Sequence, residues 1–142
     1  MSPINKNSVN QKLKKLEEAV KMLEEYKKVA EKDFLEDATI SGATIHYLVL
    51  GIGVIIDTGN HFLVEAFQEH ADSYEEIILE LGEKKIVPED FAKNNAEMTK
   101  FRNLLIHEYV KIDLKRVYQN LQEAPDIFRK FAEYYTEFLE RI

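Results

Sequence analysis

Three polar side chains within six positions, Arg102, Asn103 and His107, have the chemistry needed to cleave a phosphodiester bond. Histidine acts as an acid or a base near neutral pH, and arginine binds two phosphate oxygens at once. Metal-independent RNA cleavage needs a base for the 2′-hydroxyl, an acid for the leaving 5′-oxygen and a cation for the phosphorane. Asn103 can orient the imidazole or donate to the phosphate. Such residues are also common on a helix as a row of polar side chains whose hydrogen bonds are all made. Spacing alone therefore leaves both interpretations open.

The segment that carries these residues, 101–109, is otherwise apolar and predicts a helix. In an ideal helix with about 100° per residue, Asn103 and His107 share one face. Arg102 and Tyr109 lie within about 20° of each other on another face. Four polar groups therefore surround an apolar strip.

Two copies of the motif helix, one from each of two chains, are needed to form a complete site. Arg102 and His107 are separated by about 7.5 Å along the helix axis, so they do not converge within one helix. Ile106 and Val110 lie between the polar pairs. Because most soluble homo-oligomers are two-fold dimers, we expect a homodimer with its seam near these two apolar residues. Both arginines and both histidines would then face one cleft.

A second group of polar residues stands on the predicted long helix. Asp57 and His61 are four positions apart, a spacing at which two side chains can bind one metal ion. No third ligand is evident, so we expect no metal and no other cofactor. Asp57 is better explained as a supporting residue that orients a polar partner such as Arg102. The Gly51-x-Gly53 pair follows no strand and does not predict a dinucleotide loop.

The elements that must position these residues are predicted to be helical throughout. The chain has only five Gly and three Pro, and its apolar residues recur at helical spacing without sustained alternation. We therefore predict an all-α, antiparallel bundle of about five or six helices. One long helix, from about Asp37 to Glu69, should be buried, with its glycines allowing close approach of other helices. The expected starts of the other helices are Ser8, Ser73, Pro88, Asp113 and Pro125. Gly82 should end the helix that starts at Ser73, and the helix that starts at Pro88 should carry the motif through Tyr109.

Composition limits the class of protein. A chain of 142 residues fits one domain, 1–142, and the lack of Cys excludes disulfides and thiol catalysis. The net charge of −7 argues against general nucleic-acid binding, so a partner or a dimer cleft should supply the positive field. The longest apolar run, 47–56, is half of the about 20 residues that a membrane span needs. With no apolar leader after Met1, we expect a cytoplasmic protein without membrane contact.

The stretch Phe101–Tyr109 resembles the R-x4-H-x-Y signature of HEPN-domain ribonucleases, and of the HepT toxin group in particular. The residues that follow, 111–118, are also similar to that group. So are two earlier segments, 56–61 and 74–89, which brings most of the chain into the resemblance. It implies an antiparallel helical bundle that dimerises.

The resemblance also implies roles for the site residues. Arg102 and His107 would be the catalytic pair for RNA, assisted by Asn103, and Tyr109 would accept AMP from a minimal nucleotidyltransferase antitoxin. The implied function is a metal-independent endoribonuclease toxin that AMP transfer neutralises. An alternative of a different class is a non-catalytic helical module that binds a nucleotide or docks the transferase. The acidic balance favours that alternative, and the intact Arg-Asn-x3-His favours the ribonuclease.

Overall fold

The computed structural model describes residues 4–142, and the regular structure in this range is helical without any strand. Five helices have ten residues or more, and two are short. The five are α1 (Lys6–Lys27), α3 (Ala38–Phe67), α4 (Tyr74–Glu83), α6 (Met98–His107) and α7 (Leu114–Arg141). The short helices are α2 (Glu31–Glu36) and α5 (Glu89–Asn95), and a 3-10 turn spans Tyr109–Lys111. The prediction of an all-α bundle is confirmed.

Of the three longest helices, α7 runs antiparallel to α1 and parallel to α3. The Tyr118 hydroxyl near the start of α7 donates to the Val29 carbonyl just after α1, at 2.7 Å. At the other end, Lys6 Nζ donates to the Ile142 carbonyl at 3.2 Å. α1 and α7 are therefore antiparallel. Their buried apolar side chains join those of the other helices in one core.

The α3 helix lies parallel to α7 in the centre of this core. The fully buried Tyr135 hydroxyl donates to the Ile55 carbonyl at 2.7 Å, and burial raises the pKa of this phenol well above its ordinary value. Asp37 begins α3 by accepting from the backbone N–H groups of Thr39 and Ile40, as its position in the sequence predicts.

By length and composition, α3 is the one helix of the described residues that would also suit a membrane span. A helix buried in a bundle has the same composition. Here α3 packs against α1, α4, α6 and α7.

Pro125 does not open a separate helix, and that prediction is wrong. It lies inside α7, where the missing N–H and the ring destabilise a helix by about 3 kcal/mol. The helix continues because one apolar stripe is buried on both sides of the proline. Each large side chain of that stripe contributes about 1.5–3 kcal/mol, so together they exceed the penalty. The stripe consists of Val117, Leu121, Phe128, Phe131, Tyr135 and Phe138.

Two helix ends also differ from the predictions. Asn5, and not Ser8, caps α1, since its side chain accepts from the Ser8 backbone N–H at 2.9 Å. Gly82 lies inside α4 and does not end it, and a Cβ there would be 2.7 Å from the Ala92 Cβ. The left-handed residue after α4 is Lys85, with a φ of 60°. Gly82 is thus needed for close packing of α4 on α5.

Gly51→Ala and Gly42→Ala are expected to change stability in opposite directions. A Cβ at Gly51 would overlap the buried Phe128 ring, whereas a Cβ at Gly42 would meet nothing within 4 Å. Alanine is favoured over glycine in a helix by about 1 kcal/mol, and overpacking a core costs about 1–3 kcal/mol. Thermal unfolding followed by circular dichroism should show a Tm higher by a few degrees for Gly42→Ala and lower for Gly51→Ala. Equal shifts would contradict the close approach of α3 and α7.

Candidate functional site

The helix that carries the motif is shorter than predicted. The expected single helix from Pro88 through Tyr109 is split into α5 and α6, and α6 ends at His107. Tyr109 lies in the 3-10 turn, so its predicted helical angle relative to Arg102 is wrong. The chain leaves the helix at Glu108, with φ −126° and ψ 44°. After this turn the chain reaches Asp113, which caps α7 by accepting from the Lys115 backbone N–H at 3.0 Å.

One face of α6 packs on the core and the opposite face carries Asn103 and His107. Phe101 and Leu105 are buried, and α6 contacts mainly α3. The Thr99 hydroxyl donates to the Ala96 carbonyl at 3.0 Å and supports the start of the helix. Burial of this apolar face directs Asn103 and His107 away from the core, whereas Arg102 lies at its edge.

Arg102 is half-buried against α3 and α4. A Cβ at Gly53 would lie 3.6 Å from Arg102 Nε and 3.7 Å from an Nη atom, so the guanidinium lies across a glycine. Its Cζ is 5.7 Å from the centre of the Tyr74 ring, within cation–π range. The buried Nε has no hydrogen-bond partner, and the salt bridges between described residues do not include Arg102. This guanidinium is therefore available to bind an anion.

Asn103 and His107 share a face of α6, as predicted, and both are exposed. His107 is the last residue of the helix. Because Arg102 lies in the same helix, the expected rise of about 7.5 Å between it and His107 holds. One protomer thus presents the two groups on different faces of α6 and does not bring them together.

Asp57 lies one turn after Gly53 on α3, on the face that meets Arg102. It is exposed and makes no salt bridge with Arg102 within 4.0 Å among the described residues. His61 follows one turn later, with its Nε2 buried and unpaired. From residue 4 onward, no three His, Asp or Glu side chains are grouped as metal ligands.

A patch of exposed apolar side chains adjoins the motif. We call Ile106, Tyr109 and Val110 the α6 apolar patch; they are 37%, 74% and 86% exposed. Large apolar side chains exposed together mark an interaction surface. Ile106 and Val110 in this patch are the residues near which the sequence predicts a dimer seam, and that seam stays a prediction. A separate groove of about 700 Å³ lies between α1 and α7 and includes none of the motif residues.

Two features of the site escaped the sequence reasoning. The first is Tyr74, since nothing in the sequence places the start of α4 beside Arg102. The second is local charge: residues 100–116 hold five basic and two acidic side chains, a net charge of +3 in a chain of −7. Counting charge by segment, and not only over the whole chain, would have found this basic stretch.

The helical bundle, with Arg102, Asn103 and His107 on one short helix, defines a protein of the HEPN class. A family model described as ribonuclease HepT-like matches residues 16–135, and the chain therefore belongs to the HepT-like family. No curated protein matches the chain in sequence.

Solved structures share the fold at low sequence identity. A tri-AMPylated HEPN toxin of Shewanella oneidensis, in complex with an MNT antitoxin, is 19% identical with a TM-score of 0.82, covering 96% of this chain and 99% of that chain. A toxin–antitoxin with AMP-PNP is 18% identical with a TM-score of 0.79, covering 95% and 99%. YutE of Bacillus subtilis, a cytosolic protein of unknown function, is 20% identical with a TM-score of 0.86, covering 99% and 94%.

Proposed function

We propose that this chain is the toxin of a toxin–antitoxin pair and a metal-independent endoribonuclease. The observation that carries the proposal is the half-buried Arg102 guanidinium, which makes no salt bridge with any described carboxylate, on the same helix as the exposed Asn103 and His107. The local charge of +3 over residues 100–116 gives an otherwise acidic chain a place for RNA phosphate. Membership of the HepT-like family supports the same reaction.

The proposed reaction needs only the side chains of this site. Arg102 binds the scissile phosphate, and Asn103 positions it against the imidazole. One His107 accepts the proton of the 2′-hydroxyl as the 2′-oxygen forms a bond to phosphorus. The bond from phosphorus to the 5′-oxygen breaks, and a protonated His107 donates a proton to that oxygen. The products are a 2′,3′-cyclic phosphate and a 5′-hydroxyl. Asp57 makes no salt bridge with Arg102 among the described residues, so it would support Arg102 only at longer range, as an exposed negative charge one turn from Gly53.

The reaction is tested with the purified chain and single-stranded RNA in excess chelator. We expect cleavage in chelator, with fragments that end in a 2′,3′-cyclic phosphate. Loss of cleavage in chelator and its return with zinc or magnesium would contradict metal independence. Fragments with a 3′-hydroxyl would contradict attack by the 2′-oxygen.

The proposed active form is a homodimer with its seam at Ile106 and Val110, and Tyr109 lies beside that seam. Val110→Glu should convert the dimer to a monomer at micromolar concentration, because it places a charge in the seam without disturbing the core. Light scattering measures the mass, and RNA cleavage should fall with it. Ile142→Glu, a change of an exposed apolar residue outside the patch, is the control and should stay dimeric. A wild-type chain that is monomeric yet fully active would overturn the composite site.

The proposed partner is a nucleotidyltransferase antitoxin that transfers AMP to Tyr109. The ring is 74% exposed on the 3-10 turn, so a second protein can reach its hydroxyl. The adenylyl group adds bulk and negative charge beside the seam and next to the motif helix, which opposes RNA binding. We further propose that residues 1–142 act as one domain and that the protein is cytoplasmic, without membrane contact.

A non-catalytic module that binds a nucleotide or docks the transferase is the second candidate. The net charge of −7 favours it, because an acidic protein repels RNA. The two candidates differ in one observable property, which is cleavage of RNA by the purified chain alone.

A further inference from the structure

Tyr74 is held in a defined position at the start of α4. It is the first residue of that helix and follows Ser73, whose hydroxyl oxygen accepts from the Glu76 backbone N–H at 3.2 Å. The next residue, Glu75, forms a salt bridge with Lys100 at 3.2 Å. An exposed pair contributes little stability, but it ties the start of α4 to the motif helix. The Tyr74 ring is therefore placed by a capped helix end and not by a loose loop.

The Tyr74 ring packs on Arg102 and yet keeps much of its surface free. The guanidinium carbon is 5.7 Å from the ring centre, while the side chain as a whole is 47% exposed. The buried Arg102 Nε has no hydrogen-bond partner among residues 4–142. The guanidinium lies between the Tyr74 ring and the space that a side chain at position 53 would enter.

An exposed aromatic ring beside a phosphate-binding arginine is suited to a nucleobase. Stacking of a base on an aromatic side chain contributes about 1–3 kcal/mol and does not depend on charge. That matters in a chain with a net charge of −7, where electrostatic attraction to RNA is limited to a short basic stretch. A base must also be unpaired to stack on a side chain, as it is in single-stranded RNA.

We infer that Tyr74 is part of the RNA site, where its ring positions Arg102 and stacks on an unpaired base next to the scissile phosphate. The inference rests on the proposed ribonuclease function and adds to it a residue and a substrate class. It predicts that the enzyme prefers single-stranded RNA and that part of the affinity resists salt.

The direct test uses tryptophan fluorescence, since the chain contains no Trp. The Tyr74→Trp variant should be quenched on addition of a single-stranded 2′-O-methyl RNA oligonucleotide, which binds but cannot be cleaved through the 2′-oxygen. Tyr47→Trp places the reporter at a half-buried position on α3 and is the control. Absence of quenching in Tyr74→Trp, with the oligonucleotide bound, would overturn the stacking.

The second test measures the Kd of the same oligonucleotide by fluorescence anisotropy. Tyr74→Phe keeps the ring and should bind within about twofold of wild type, whereas Tyr74→Leu should bind about tenfold more weakly. If wild type binds the oligonucleotide and Tyr74→Leu binds it more weakly, but wild type cleaves no RNA, the ribonuclease function is refuted and the stacking stands. Cleavage with unchanged Kd and KM in Tyr74→Leu would refute the stacking alone. A wild type that does not bind the oligonucleotide overturns the inference.

Discussion

His107→Ala is expected to slow RNA cleavage by about 10²–10⁴-fold, the contribution typical of a general acid or base. The side chain is exposed at the end of α6 and makes no hydrogen bond to the described residues, so its removal should leave the fold intact. Initial rates on labelled single-stranded RNA measure the loss, and circular dichroism confirms the helical content. In cells without the partner, wild type should arrest growth and the variant should not.

Two further variants sharpen this result. His70→Ala removes another exposed histidine, in the segment between α3 and α4, and should cleave at the wild-type rate. Arg102→Ala should lose most of the cleavage, and Arg102→Lys should restore little because an ammonium lacks the planar fork that binds two phosphate oxygens. Full activity in His107→Ala would remove the acid–base role and favour the non-catalytic module.

Tyr109→Phe is expected to escape neutralisation by the nucleotidyltransferase completely. In the proposed transfer, the Tyr109 hydroxyl oxygen bonds to the α-phosphorus of ATP, pyrophosphate leaves and the phenolic proton is released. Phenylalanine lacks that oxygen but otherwise keeps the exposed ring on the 3-10 turn. Intact-mass measurement after incubation with the partner and ATP should show adenylyl groups on wild type only. RNA cleavage by the variant should persist in the presence of the partner.

The matched control is Tyr134→Phe, which removes the hydroxyl of a half-buried tyrosine on α7 outside the site. It should be labelled and neutralised like wild type, because its Tyr109 is intact. Equal labelling of Tyr109→Phe and wild type would place the acceptor at another residue. Loss of cleavage in unmodified Tyr109→Phe would instead give the hydroxyl a catalytic role.

The core of the bundle could be predicted from sequence, whereas the end of the motif helix could not. Residues 101–110 keep helical spacing through Val110, and no Gly or Pro marks a stop. The helix ends at His107 because Tyr109 and Val110 have no core to pack against and the chain must reach the cap at Asp113. The spacing of apolar residues shows which side chains could be buried on one face of a helix, but not which of them have another helix to pack against.

Pro125 and Tyr74 illustrate two other limits of prediction from the sequence. Local preference predicts a helix break at Pro125, and the buried stripe on both sides of it overrides that preference. The contact between Tyr74 and Arg102 depends on the path of the chain between α3 and α4, which spacing within one helix does not describe. The candidate residues themselves were identifiable because their chemistry is unusual for an otherwise apolar segment.

Mutation of Gly53, which lies next to Arg102, would have a consequence for a cell that carries the toxin. Alanine fits at Gly53 in ordinary contact, but a larger side chain would occupy the space of the guanidinium. Under the proposed mechanism, such a mutation attenuates the toxin without unfolding it, and Tyr109 is still presented to the antitoxin. The mutant protein would then compete with the wild-type toxin for the nucleotidyltransferase and for ATP, while cleaving no RNA itself. In a cell that also carries an intact copy, it would act as a decoy that sensitises its host to the wild-type toxin.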